Sequence, residues 1–208
     1  MSDGGYPIVL EVRDRQVVIV GGGSVGARKA QGLLAGGATR VRVVSPTFHS
    51  DMPGQVERIT DSYRPNHLQG ASLVFAATDS PQVNDTVIRD ARAIGALVCR
   101  ADTDESNPGD FATPAMIRQA DLLISVSSGG SPALSAMIRD RIAEAVDPRW
   151  VQMAQATREL RPHIRKRIAS PRRAELFRLL CTDEAMNELS RGGLDGLKHW
   201  LQGRFPEL

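Results

Sequence analysis

Aromatic side chains are scarce. Five Phe, two Tyr and two Trp make up 4% of the 208 residues. A chain this poor in flat rings has little with which to stack unpaired bases, so a single-stranded nucleic-acid binder is excluded. Only two cysteines occur, Cys99 and Cys181, far apart in the chain. That excludes a disulfide framework and a zinc knuckle, and it fits reduced thiols in a cytoplasmic protein. The four histidines (His49, His67, His163 and His199) show no paired spacing, so no metal site is expected. No apolar run reaches the length of a membrane span. The opening "MSDGGYPIVLEV" lacks the basic-then-apolar order of a secretory leader.

What is present is ordinary globular material. Apolar residues are 41% and charged residues 24%, enough for a nucleotide-binding domain with a smaller appendage. The net charge of +2 conceals an asymmetry. Residues 158–173, "RELRPHIRKRIASPRR", carry seven Lys or Arg against one Glu, and the rest of the chain is net acidic. An anionic partner for that segment is one reading; a solvated or subunit-contact face is the other.

Hydrophobic patterning orders the first half. "VVIV" reads as a strand, residues 27–36 as a helix stopped by Gly36-Gly37, and "VRVVS" at 41–45 as a second strand. "QVERI" at 55–59 fits a short edge strand and "SLVFAAT" at 72–78 a buried one. Residues 81–94 fit a helix with Ser80 as N-cap and Pro81 at its first position. "ALVCRA" at 96–101 closes the series. This alternation predicts an α/β fold with a doubly wound, Rossmann-like parallel sheet. Beyond Asp102 come a polar loop, "FATPAMIRQA", a strand-like "LLISVSS" and a helix over 132–146 behind Ser131-Pro132. From Asp147 onward only helical signals remain. Asp147-Pro148, Ser170-Pro171 and Thr182 mark helix starts, and Gly192-Gly193 marks a stop before a last short helix.

Gly21, Gly23 and Gly26 form G-x-G-x-x-G between "VVIV" and the first helix. The first glycine permits the tight turn, the second a close approach to a pyrophosphate, and the third tight helix–strand packing. Backbone N–H groups at the helix start, those of Ser24 and Val25 among them, suit phosphate oxygens. One part is missing. A dinucleotide site usually carries an acid about 20 residues on, at the end of the second strand. Here Ser45-Pro46 stands in that place, and NAD and NADP are not separated.

These pieces together resemble the precorrin-2 dehydrogenase family, the siroheme synthase amino-terminal type. The resemblance spans nearly the whole chain and is strongest over about 6–146. It rests on "YPIVLEVRDRQVVIVGGGSVGARKA", on "VRVVSP", on "VFAATDSPQVN" and on "FATPAMIRQADLLISVSSGGSPALSAMIRDRI". It implies a Rossmann domain over 1–112, a dimerisation segment over 113–147 and a helical domain over 148–208, in a homodimer. It also implies NAD-dependent oxidation of precorrin-2 to sirohydrochlorin. Some members insert ferrous iron as well.

By the same resemblance the key carboxylate falls on Asp102, after "ALVCRA". There it would accept a proton or orient the macrocycle. A longer loop than the family's usual form leaves Asp104 as a second candidate. The cofactor site would comprise Gly21, Gly23, Ser24, Val25, Gly26, Ser45 and Thr78, with Asn84 close by. Ser128 and Gly129 of "SVSSGGSP", with Arg158 and Arg161 of the basic segment, would meet substrate carboxylates. Two alternatives stand beside this reading: a bifunctional dehydrogenase and ferrochelatase, and a non-catalytic NAD(H)-sensing module. No nucleic acid or membrane partner is expected.

Overall fold

Short β-branched runs form the centre of the first unit, as their patterning predicts. The computed structural model describes residues 5–102 and 109–208. It divides into two units, residues 1–113 and 114–208. In the first, β1 (Gln16–Val20), β2 (Arg40–Val44), β3 (Glu57–Ile59), β4 (Leu73–Ala76) and β5 (Leu97–Arg100) make one sheet. Its order is β3-β2-β1-β4-β5 and every pairing is parallel. Val20 at the end of β1 stands beside Val44 of β2 and Ala76 of β4.

Parallel strands bury both faces, so β1 is apolar throughout except for Gln16. Val17 and Ile19 point into the core that includes Ala27 and Ala30 of α1 (Ser24–Ala35). Val18 and Val20 point into the core that includes Val87, Ile88 and Ala91 of α2 (Pro81–Ala93). Each fully buried aliphatic side chain here contributes about 1.5–3 kcal/mol. Ser80 caps α2 by accepting from the Val83 N–H at 3.4 Å. The apolar leader forms no strand; Leu10 and Val12 simply pack on the α1-side core.

The second unit begins with a hairpin that the sequence did not announce. β6 (Ala115–Gln119) and β7 (Leu122–Val126) pair antiparallel across a turn at Ala120 and Asp121, and Ala120 takes a φ of 50°. α3 (Pro132–Ala145) packs on this hairpin. Then follow α4 (Pro148–Arg167), α5 (Ser170–Leu179) and α6 (Asp183–Gln202). Leu160 and Ile164 of α4 meet Leu176 of α5 and Leu197 and Leu201 of α6 in one core.

Helix starts follow the cap signals. Ser131, Asp147 and Thr182 accept from the N–H groups of Leu134, Arg149 and Ala185 at 3.3, 2.8 and 3.3 Å. One detail differs from expectation. α5 begins one residue early: the Ala169 carbonyl accepts from the Arg173 N–H at 3.1 Å, so Ser170 lies inside the helix and caps nothing. At the expected stop, Gly193 (φ 60°, ψ −161°) breaks α6 and a last helical stretch follows, as the glycine pair predicts. Pro162 sits within α4 without ending it.

Candidate functional site

The glycine turn closes β1 and opens α1 within the first unit. The Gly21 N–H donates to the Val44 carbonyl at 2.9 Å, which ties the turn to the end of β2. Gly21 has a φ of +120°, and a Cβ there would stand 2.2 Å from the Ala77 carbonyl oxygen. Only glycine fits such a place. A Cβ on Gly26 would lie 2.0 Å from the Gly21 carbonyl oxygen, so α1 packs on the turn at backbone distance. Gly23 is different. A Cβ on it would meet nothing within 4 Å. Gly23 is the N-cap of α1 and has no side chain to cap the first turn. Ser24 and Val25 are that turn's first residues. Open space in front of an uncapped helix start fits a pyrophosphate, which takes hydrogen bonds from exposed N–H groups and is favoured by the helix dipole.

A cleft of about 200 Å³ opens at the carboxyl ends of β1, β2 and β4. Val20, Val44, Pro46 and Val83 give it apolar walls; Gly21, Ser45 and Thr78 lie along it. Three of the residues read as cofactor ligands therefore share one cavity. Ligands bind at such strand ends in doubly wound sheets. One wall carries no motif in the sequence. Asp61, Ser62 and Tyr63, in the turn after β3, line the same cleft. The Tyr63 hydroxyl donates to Asp90 of α2 at 3.0 Å. Burial, and then that bond to a carboxylate, push the Tyr63 phenol well above its ordinary value.

Thr78 and Asp102 are joined through a buried amide. Asn84 is fully buried in α2. Its carbonyl oxygen accepts from the Thr78 N–H at 3.1 Å, and its amide nitrogen donates to the Thr78 carbonyl at 2.9 Å. The same nitrogen donates to Asp102 Oδ2 at 2.6 Å. The other carboxylate oxygen, Oδ1, accepts from Arg100 Nε at 2.5 Å. Arg100 is nearly buried and also pairs with Asp85 at 2.6 Å. Asp102 itself keeps about a fifth of its side-chain surface exposed. A carboxylate gripped at both oxygens is oriented. Asp104 lies outside the described residues.

The remaining candidates lie in the second unit. Gly129 and Gly130 have φ values of 61° and 100°, which the turn requires of them. The Ser128 hydroxyl is 2.8 Å from the Ser131 carbonyl oxygen and 2.7 Å from Ser135 Oγ, so it stabilises its own turn. On α4, Arg158 pairs with Asp121 at 3.0 Å, and the Arg161 guanidinium lies over the Phe177 ring at 5.3 Å. Both arginines therefore have local partners while remaining exposed. Among the described residues, no three His, Cys, Asp or Glu side chains gather as a metal site, and no helix is long and apolar enough to cross a membrane.

A family described as "Putative NAD(P)-binding" matches residues 8–115. The chain is 34% identical over 177 residues to a siroheme synthase of Methylobacillus flagellatus, covering 82% of this chain and 37% of that protein. It is 35% identical over 168 residues to a siroheme synthase of Chromobacterium violaceum, covering 78% of this chain and 35% of that one. The chain thus spans well under half the length of these relatives. A solved structure titled "SirC, precorrin-2 dehydrogenase" superposes with a TM-score of 0.76 at 24% identity. That match covers 96% of this chain and 100% of the solved one. At that identity the match establishes the fold.

Proposed function

Because the chain belongs to the family described as "Putative NAD(P)-binding", we propose that it is of the siroheme synthase and precorrin-2 dehydrogenase type and oxidises precorrin-2 to sirohydrochlorin with NAD. The observation that carries this reading is a connection within the first unit: a glycine-lined cleft linked, through Thr78 and Asn84, to a carboxylate held at the exit of β5. The substrate class follows from what these relatives are called, siroheme synthase and precorrin-2 dehydrogenase.

The reaction removes a hydride and a proton from the reduced macrocycle. Bound NAD supplies the hydride acceptor. The turn at Gly21, Gly23, Ser24, Val25 and Gly26 holds the pyrophosphate, while Ser45 and Thr78 line the adenosine side. Asp102, fixed by Arg100 and Asn84, orients the macrocycle and receives the proton. Asn84 and Arg100 are positioning residues for it. For the second unit, the reading assigns Ser128, Gly129, Arg158 and Arg161 to substrate carboxylates.

The working form is a cytoplasmic homodimer, with residues 113–147 as the dimerisation segment between a Rossmann domain over 1–112 and a helical domain over 148–208. α3 supports this. It buries only Ser135 and leaves Leu134 and Met137 exposed, as Met116 of β6 is. A second reading, favoured by the relatives' name, adds insertion of ferrous iron, the reaction's other substrate, into sirohydrochlorin.

An anaerobic spectroscopic assay tests both. The protein receives precorrin-2 with NAD, or sirohydrochlorin with Fe(II), each against a control without enzyme. NAD-dependent appearance of sirohydrochlorin is expected. No oxidation above control, with NAD binding demonstrated, would remove the substrate assignment. The iron arm decides whether one chain performs both steps.

A further inference from the structure

The acid that usually reads the adenosine ribose stands at the end of the second strand. In this chain that place is occupied by Ser45-Pro46. The structure brings an acid to the same level by another route. The Ser45 N–H donates to the Ile59 carbonyl at 3.1 Å, so the segments leaving β2 and β3 run side by side. The Asp61 N–H donates to that same carbonyl, also at 3.1 Å. Asp61 therefore stands next to Ser45 on the rim of the cleft, and both line it.

The Asp61 side chain is built into position and is not spent. Its side chain is 32% exposed. Oδ1 lies 3.4 Å from Arg64 Nη2, and Oδ2 lies 3.5 Å from His67 Nε2. Both contacts are long, which leaves lone pairs free to accept from a ligand. His67 Nδ1 accepts from the Arg64 N–H at 3.1 Å, so Nε2 carries the ring proton and faces Asp61. His67 is held in turn, its carbonyl accepting from Arg42 of β2 at 3.2 Å. The rest of the cleft suits the base. Tyr63, Val83, Val20 and Val44 line it.

We propose that Asp61, delivered by the turn after edge strand β3, reads the ribose hydroxyls of the cofactor's adenosine and selects the dinucleotide that lacks a 2′-phosphate. The assignment rests on the dinucleotide reading of the cleft. An ionised carboxylate accepts hydrogen bonds only, so it suits a ribose diol. The same charge repels a phosphate placed on that diol. Arg64 offers the opposite outcome: were its exposed guanidinium the dominant charge, the phosphorylated cofactor would be preferred.

Titration calorimetry separates these. NAD, NADP and the hypoxanthine analogue of NAD are titrated into the full chain as wild type, Asp61→Ala and Asp61→Asn. Circular dichroism verifies that the variants are folded. Wild type is expected to bind NAD more tightly than NADP. Asp61→Ala should weaken NAD binding by about tenfold or more, the loss of a hydrogen bond to a charged group. Asp61→Asn should narrow the preference for NAD over NADP. The hypoxanthine analogue, which lacks the adenine amine, should suffer the same loss in Asp61→Ala.

Unchanged NAD affinity in both variants would overturn the proposal. So would a loss that vanishes with the hypoxanthine analogue, since Asp61 would then be reading the base. A wild type that prefers NADP overturns it without any variant. Failure of the wild type to bind any of the three would sink the dinucleotide reading and this inference with it. Failure confined to the variants' comparison leaves the dinucleotide reading standing.

Discussion

The Asn84 amide nitrogen lies 2.6 Å from Asp102 Oδ2, across eighteen residues of sequence. The same amide grips both backbone groups of Thr78. One buried side chain thus sets the cofactor-side turn and the β5 carboxylate at a fixed separation. Leucine has nearly the same volume but no polar atoms. Asn84→Leu removes the partner of the Thr78 N–H and carbonyl, puts an apolar side chain against them and removes a donor from Asp102. The expected cost is about 2–4 kcal/mol. Urea unfolding checks it, as a lower midpoint with an unchanged slope.

Asp102→Asn keeps the shape of the carboxylate and removes its charge and basicity. Dehydrogenase turnover should fall by about a hundredfold or more, the usual worth of a positioned acid or base. NAD binding, measured separately, should persist. Near-normal turnover would take Asp102 out of the mechanism and turn attention to Asp104.

Two glycines of one motif should fail differently. In Gly26→Ala the new methyl strikes the Gly21 carbonyl, so α1 must lift from the turn and the melting temperature falls. Gly23 already has a φ of −70° and open space around it. Gly23→Ala should therefore melt like wild type yet lose NAD affinity, because the methyl enters the space assigned to the pyrophosphate. Calorimetry with and without NAD distinguishes the two. Equal destabilisation by both changes would contradict this account.

Tyr63 sets an alkaline limit. Burial and the bond to Asp90 raise its folded-state pKa above the ordinary value of 10.0. The unfolded chain therefore loses this proton first. The stabilisation is complete below about pH 10 and declines as pH climbs from there through the folded value. Tyr6 and Tyr63 are the two tyrosines. Tyrosinate absorbance should show Tyr63 ionising late, together with unfolding. Tyr63→Phe should erase that late phase and flatten the alkaline fall in stability.

Much of this was legible in the residues, because local signals and tertiary demands agree. β-branched runs ending in glycine became β1 and its turn. Ser80, Ser131, Asp147 and Thr182 stood where caps were expected. The β6–β7 hairpin was not legible. Its turn, Ala120-Asp121, lacks the Asn-Gly or Asp-Gly chemistry that marks tight hairpins, and Ala120 takes a positive φ that its side chain gives no warning of. Ser170 carried a cap signal, but the first helical bond fell to the Ala169 carbonyl. The Asp61–Tyr63 wall was missed for another reason. The edge strand itself was legible, but its turn reaches the cleft only through pairing with β2. The network around Asp102 is a tertiary juxtaposition, in which Asn84 reads merely as a polar residue early in a helix.

The strand order also fixes a sequence of events in time. Of the strands in its sheet β1 is the first to be synthesised, yet it lies at the centre, between β2 and β4. Its second neighbour does not exist until residues 73–76 have been made. Every partner is distant along the chain, and such pairings close slowly because loop entropy is paid before contact energy returns. Until then a strand apolar except for Gln16 waits with an open edge. Nascent chains arrested before β4 should therefore be the ones that recruit chaperones. In the finished protein the amides of β1 should be the last to exchange with solvent.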